Sequence, residues 1–480
     1  MEISTVSGTR SLLGRILRTK PIGAMVAKGE GEQSGGGLQR TIGLFQLTMF
    51  GVGATIGSGI FVILGDAVPK AGPGVILSFI IAGITAALTA LCYAELASTI
   101  PSSGSSYSFT YATLGEMVAY LIGWCLLLEY GISTSAIAVG WGQYLNELSF
   151  DLLGVHIPNA YANPPGIDGG IFNLPAVVLV FMCSVLLLRG TRESTLVNTI
   201  MVVIKIAVLA MFIVIGLTAF HSSNLHPFMP MGMSGVGAAA SSIFFSYIGI
   251  DTIATAGEEV KDPKRTLPLA ILFTLIIVTI IYVLVAVIGV GTQPYTQFNG
   301  NEAGLVQILR RITGATWPGV ILAMGAVISI FSITLVTLYG QTRILYTMSR
   351  DGMLPAIFAR VDAHSHTPRK NTVIVGTVVA IAAALLPLDV LADLTSMGTL
   401  VAFAIVSAGV MILRRTRPDL PRGFKVPLFP LLPILSILFC LYLIADLPPQ
   451  TFLLFAVWLS FALIFYFAYS LRHSKLEQAA

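Results

Sequence analysis

The sequence predicts an all-α polytopic membrane protein: twelve transmembrane helices, built as a five-plus-five inverted repeat with two extra helices at the C-terminal end. Three observations carry this prediction. Of 480 residues, 55% are hydrophobic and only 10% charged, and the mean hydropathy is +0.86; a soluble chain averages about 25% charged residues. The apolar residues gather into long runs, each near the roughly 20 residues that one bilayer crossing needs. Two of those runs, five apart in order, are interrupted near their middles.

The apolar runs cover approximately 44–66, 74–99, 117–145, 174–188, 196–219, 236–257, 267–291, 317–346, 372–388, 394–413, 428–447 and 451–471. The fourth is short for a crossing. None shows the alternating pattern of outer-membrane strands. Lys and Arg set the expected orientation. With the N-terminus inside, the inner segments hold Arg189 and Arg192, then Lys261, Lys264 and Arg265, then Arg414, Arg415 and Arg417, whereas the outer segments hold Lys70, Arg310 and Arg311 and little else, and the outer gap 146–173 has no Lys or Arg. Both termini are therefore expected in the cytoplasm, with the protein multi-pass in the plasma membrane. The expected layout is a cytoplasmic tail over 1–40, partly disordered, a first repeat over 41–220, a second over 236–414, helices 11 and 12 over 428–471, and a tail over 472–480. Basic residues spread along loops give no footprint for nucleic acid. The four cysteines sit inside apolar runs at no metal-ligand spacing, so no metal or other cofactor is expected.

Helix 1 carries Gly51-Val-Gly-Ala-Thr-Ile-Gly-Ser-Gly59. Each glycine costs a helix about 1 kcal/mol against alanine. Close helix packing explains a single pair of small residues, but these glycines fall on several faces. Helix 6 has its own interruption at Phe245-Ser-Tyr-Ile-Gly-Ile-Asp251. Matching interruptions in two halves point to a transporter whose site lies at the bilayer midplane. Unwound backbone is tolerated there only where it is buried in protein or lines a cavity. Half-helix N-termini favour a carboxylate, and half-helix C-termini and loose carbonyls favour an ammonium. A zwitterionic amino acid satisfies both poles.

Few ionisable residues lie deep in the runs: Glu129 in helix 3, Lys205 in helix 5 and Asp251 in helix 6, with Glu95 and Arg343 nearer the cytoplasmic ends of helices 2 and 8. Intramembrane charge is costly and marks function unless it pins helices together. Lys205 stands in Val202-Val-Ile-Lys-Ile-Ala-Val208 with no acid beside it. A buried ammonium suits a proton carrier, and it puts a fixed cation where a sodium-coupled protein would need an empty site. Glu129 is left with three roles: pairing with Lys205, taking part in a relay, or attracting a basic side chain.

At this point the sequence resembles bacterial members of the amino acid–polyamine–organocation superfamily, above all its cationic amino acid transporter branch. The stretches that carry the resemblance are GVGATIGSGIF (51–61), YAELA (93–97), PSSGSSYSFTY (101–111), RGTRES (189–194), FFSYIGIDTIATAGEEVKDPKRTLP (244–268) and YGQTRILYTMSRDGMLP (339–355). It implies that Thr55, Ile56, Gly57, Ser58 and Gly59 receive the substrate carboxylate. Phe245, Ser246 and Ile248 would hold the amino group and wall the pocket, Thr337 would line the side-chain pocket, and Lys205 would couple protons. Glu129 and Asp251 are candidates for a charge relay or for side-chain selectivity. The implied activity is proton-coupled amino acid symport by alternating access, without sodium, with cationic substrates favoured. Neutral substrates and substrate exchange stay open as alternatives, as does a transporter-like sensor, although the short tails offer no sizeable soluble domain. An enzyme would need a cluster of His, Asp or Glu at ligand spacing, and the six histidines fall in loops and tails. A channel would need a ring of filter residues, and none is visible.

Overall fold

The computed structural model describes residues 12–21, 42–57, 59–100, 104–189, 195–256, 260–298, 303–360, 362 and 368–478. Among them the chain forms twelve helical rods and no strand. Span 1 is Leu44–Thr55 followed by Gly59–Ala71, span 2 is Val75–Thr99, and span 3 runs Glu116–Leu127, through a π turn at Leu128–Ile132, into Ser133–Leu153. Spans 4 and 5 are Leu174–Leu188 and Thr195–Leu217. Span 6 is Gly232–Ile243, a tight turn Phe244–Tyr247 and a last short piece, Thr252–Thr255. Spans 7 to 10 are Pro263–Thr292, Trp317–Arg350, Arg369–Leu385 and Leu388–Thr416, and spans 11 and 12 are Leu431–Ala445 and Pro449–Phe465.

The rods match the apolar runs, yet spans 7, 8 and 10 extend beyond them. The backbone ladder continues past the first polar side chains, because a helix end needs no apolar surface once it leaves the hydrocarbon. Span 4 keeps the short length read from the sequence. The rim is greasy: Phe181, Val214, Leu453 and Ile464 are all exposed, as lipid-facing positions must be and as a soluble surface would not tolerate in such number.

Spans 2 and 7, 3 and 8, and 4 and 9 pack as partners, and both pieces of span 1 lie against span 6. Spans 1 to 4 thus each meet the span five places later. Spans 11 and 12 lie outside this ring, both against span 10.

Two buried carboxylates hold one face together. Glu95 takes Arg414 through Nε at 2.7 Å and Nη2 at 2.5 Å, and accepts from the Val426 N–H at 2.7 Å. Here the structural reading of an intramembrane charge is the right one. Arg343 has its guanidinium stacked on Tyr339, 4.4 Å from the ring centre. Glu116, fully buried, receives Nε and Nη2 of Arg18 at 2.7 Å each, Tyr111 Oη at 2.9 Å, Tyr466 Oη at 3.2 Å and Ser474 Oγ at 2.6 Å. Removing one partner of a buried pair costs about 3–5 kcal/mol, because the other charge is left uncompensated. That need docks a piece of the N-terminal tail: Arg18 satisfies Glu116, and Lys20 Nζ lies 3.1 Å from both oxygens of Asp351. The N-terminal and C-terminal segments therefore meet on one face of the bundle, as an even number of crossings requires.

That face is the one expected in the cytoplasm. Ile167→Cys, in the exposed loop between spans 3 and 4, is expected to react with an impermeant thiol reagent added outside intact cells. The native cysteines are all buried, so background labelling is low. Labelling only from the inner side would reverse the orientation.

Candidate substrate site

The glycines of span 1 end its first half-helix at Thr55 and let the second begin at Gly59. Span 6 breaks at the same level, where Gly249 adopts φ +110°. A side chain there would be strained by conformation and blocked by its neighbour, since a Cβ would stand 2.6 Å from the Ala54 carbonyl oxygen. Gly59 is equally constrained, its notional Cβ falling 2.6 Å from Ser246 Cβ. The two breaks thus lean on each other through glycines. A residue on span 7 ties them: Tyr282 Oη lies 2.8 Å from the Thr55 carbonyl oxygen and 2.9 Å from that of Ser246, so its single proton serves both loosened carbonyls.

Between the breaks lies a cavity of about 30 Å³. It has room for water and not for an amino acid, since ligand pockets occupy about 300–1,000 Å³. An amino acid would fit only with its walls parted. Thr55, Gly57, Gly59, Phe245, Ile248 and Thr337 all line it, so most of the residues singled out in the sequence meet in one place. Thr55 and Thr337 face it with their hydroxyls already engaged. Thr55 Oγ1 donates to the Gly51 carbonyl at 2.9 Å, and Thr337 Oγ1 accepts from Thr134 Oγ1 at 2.8 Å while lying 3.0 Å from the Ile333 carbonyl. Ile56 and Ser246 are buried beside the breaks but are not part of the lining. Ser58 lies outside the described residues.

Both acidic candidates reach the cavity as well. Glu129 sits in the π turn of span 3, a local widening often found at functional sites. Neither of its carboxyl oxygens has a hydrogen-bond partner. Asp251 accepts from Tyr130 Oη at 2.8 Å through Oδ2, and its Oδ1 has no partner. The two carboxyls interact with each other. No Lys or Arg is among the described residues that line the cavity. Buried polar atoms are almost always paired, so these open oxygens are unusual among the described residues.

Lys205 lies elsewhere. Its side chain is 2% exposed, and Nζ donates to the Gly53 carbonyl at 2.9 Å. It is thus tied to the first half-helix of span 1, beside the break rather than in the cavity.

Sequence reading missed Tyr282 and the apolar wall formed by Ile137, Ile333 and Val336. The wall was within reach of a helical count. Ile333 and Thr337 are four apart on span 8, and Ser133 and Ile137 four apart on span 3, spacings that share a helix face. Tyr282 left no such signal, because its role depends on two other spans.

A bundle of twelve spans around a cavity between two broken helices is the architecture of a multi-pass membrane carrier. The profile of the amino acid permease family matches residues 42–468, and the chain belongs to that family. It is 45% identical to a branched-chain amino acid permease of Bacillus subtilis, over 97% of this chain and all of the relative. To a methylthioribose transporter of the same organism it is 41% identical, again over 97% of this chain and all of the relative. A vacuolar cationic amino acid transporter of Arabidopsis thaliana is 36% identical over 80% of this chain and 64% of the relative.

Proposed function

We propose that the protein takes up amino acids with apolar, branched side chains across the plasma membrane, driven by protons, by alternating access. The observation that carries this reading is the side wall of the cavity, where Ile137, Ile248, Ile333 and Val336 present branched apolar groups. Such a wall gains from desolvating an aliphatic side chain, about 0.8 kcal/mol per buried CH₂, and offers a guanidinium nothing. The glycine break at Gly57 and Gly59 meets the substrate carboxylate, and the loosened carbonyls of span 6 near Phe245 and Ser246 meet the ammonium. Lys205 occupies the position of a coupling cation against span 1, so sodium is not required, and Glu129 with Asp251 forms the relay. The family match and the printed name of the 45% relative support the substrate class.

The open oxygens of Glu129 favour a second reading, in which a lysine or arginine head group pairs with that carboxyl. Competition separates the two. In proteoliposomes with an inward proton gradient, uptake of labelled leucine is expected to be blocked by isoleucine and valine at concentrations at least about tenfold lower than by lysine or arginine, a gap of about 1.4 kcal/mol. Stronger competition by arginine overturns the apolar reading. Accumulation that follows a sodium gradient at fixed pH overturns the proton.

A further inference from the structure

Among the described residues, five hydroxyl side chains line the cavity: Thr55, Tyr130, Ser133, Thr252 and Thr337. Four of them spend their proton on a fixed acceptor of the protein. Tyr130 Oη donates to Asp251 Oδ2 at 2.8 Å, Thr55 Oγ1 to the Gly51 carbonyl at 2.9 Å, Ser133 Oγ to the Tyr130 carbonyl at 3.2 Å and Thr252 Oγ1 to the Gly249 carbonyl. The fifth, Thr337 on span 8, has a partner of another kind. Its Oγ1 lies 2.8 Å from Oγ1 of Thr134, a neutral side chain of span 3. Thr134 is fully buried and is not part of the lining.

A hydroxyl has one proton to give and two lone pairs, so this pair shares two protons. The contact between the two oxygens takes one. The other goes to a carbonyl. If Thr134 donates to Thr337, that carbonyl belongs to Ile333, 3.0 Å from Thr337 Oγ1; if Thr337 donates to Thr134, it belongs to Tyr130, 2.5 Å from Thr134 Oγ1. In both arrangements the protein uses both protons, and the Thr337 oxygen has its partner before any substrate arrives. A wall built this way acts as an apolar one. A substrate hydroxyl loses its water on entry and finds no open partner, a cost that an aliphatic branch does not meet.

We infer that Thr134 sets side-chain specificity from outside the cavity, as a positioning residue that keeps the Thr337 hydroxyl on the protein, so that the pocket selects valine over its hydroxylated isostere threonine. This rests on the apolar substrate class proposed above, and it names the residue that makes a threonine-bearing wall act as an apolar one. Thr134→Val keeps threonine's shape and removes the oxygen. Thr337 Oγ1 then lacks its side-chain partner beside the seated substrate. A bound threonine can answer that oxygen with its own O–H, and a bound valine cannot. Sites that pair a substrate hydroxyl disfavour the analogue lacking it, because a buried polar group is left open.

Binding of labelled valine to the purified protein, competed by unlabelled valine, threonine or arginine, tests the inference. The readout is the ratio of the half-competing concentrations of threonine and valine. Thr134→Val is expected to lower that ratio at least about fivefold, the scale of one unanswered buried polar group. Thr134→Ala also removes the hydroxyl and is expected to move the ratio in the same direction, so the test does not depend on one variant folding. Thr134→Ser keeps the hydroxyl and gives up the methyl, and its ratio is expected to stay within about twofold of wild type. Adding Thr337→Val to Thr134→Val is expected to erase the gain for threonine, because the oxygen it answers is gone. An unchanged ratio in Thr134→Val and Thr134→Ala overturns the inference. So does an equal shift in Thr134→Ser, which marks a packing effect, and so does a gain that survives Thr337→Val. Wild-type protein on which arginine outcompetes valine overturns the apolar substrate class, and the inference with it, whatever the ratio does.

Discussion

Gly59→Val is expected to abolish substrate binding in a protein that still purifies as a folded, monodisperse species. The obstacle to a new side chain is Ser246, including its backbone Cα, and Ser246 belongs to the break of span 6. Backbone cannot rotate aside as a side-chain tip can. A β-branched group would force the two breaks apart and fill the space at the start of the second half-helix, where the proposed reading seats the substrate carboxylate. Overpacking of this kind costs about 1–3 kcal/mol, which as a loss of affinity is about 5–150-fold, before the displaced carboxylate is counted. Gly57→Ala makes the contrast. Its Cβ would meet Ile333 Cγ1 at 3.0 Å, the side chain of a wall residue that can adjust, so a smaller loss is expected. Substrate-induced thermal stabilisation measures both. Wild-type binding by Gly59→Val would remove the span 1 break from the site.

Lys205→Ala is expected to lose accumulation driven by a proton gradient by about a hundredfold or more, the scale of a deleted proton-transfer group, while substrate-for-substrate exchange survives. Lys205 Nζ is the donor to the Gly53 carbonyl, next to the break of span 1. If its proton comes and goes, the tie between spans 5 and 1 tightens and loosens with it, and coupling is lost with the side chain. If Lys205 is only a pin, its removal leaves a buried carbonyl without that donor, a cost of about 1–3 kcal/mol, and exchange falls together with accumulation. Measuring the two activities side by side on one preparation decides between them. Retained gradient-driven accumulation removes Lys205 from the coupling altogether.

The crossings were legible in the sequence because a bilayer imposes a one-dimensional rule. Each span must be apolar for about 20 residues, and composition alone displays that. The two breaks were legible for a related reason: four glycines between Gly51 and Gly59, and the interruption around Gly249, are local facts about backbone preference, visible without knowing any neighbour. The structural role of Glu95 was not legible, because its partners Arg414 and Val426 lie more than three hundred residues away. Glu116 stayed hidden for the same reason, its ligands coming from both ends of the chain, and Leu12–Pro21 passed for a loose tail. Glu129, Lys205 and Asp251 could be named as buried charges. Only the packing of spans 3, 5, 6 and 8 put Glu129 and Asp251 on one cavity and turned Lys205 away from it to Gly53. The branched apolar wall came from the same packing, and with it the proposal of an aliphatic rather than a cationic substrate. Periodicity tells which residues share a helix face, but which face meets which is settled by side chains far apart in sequence competing for the same space.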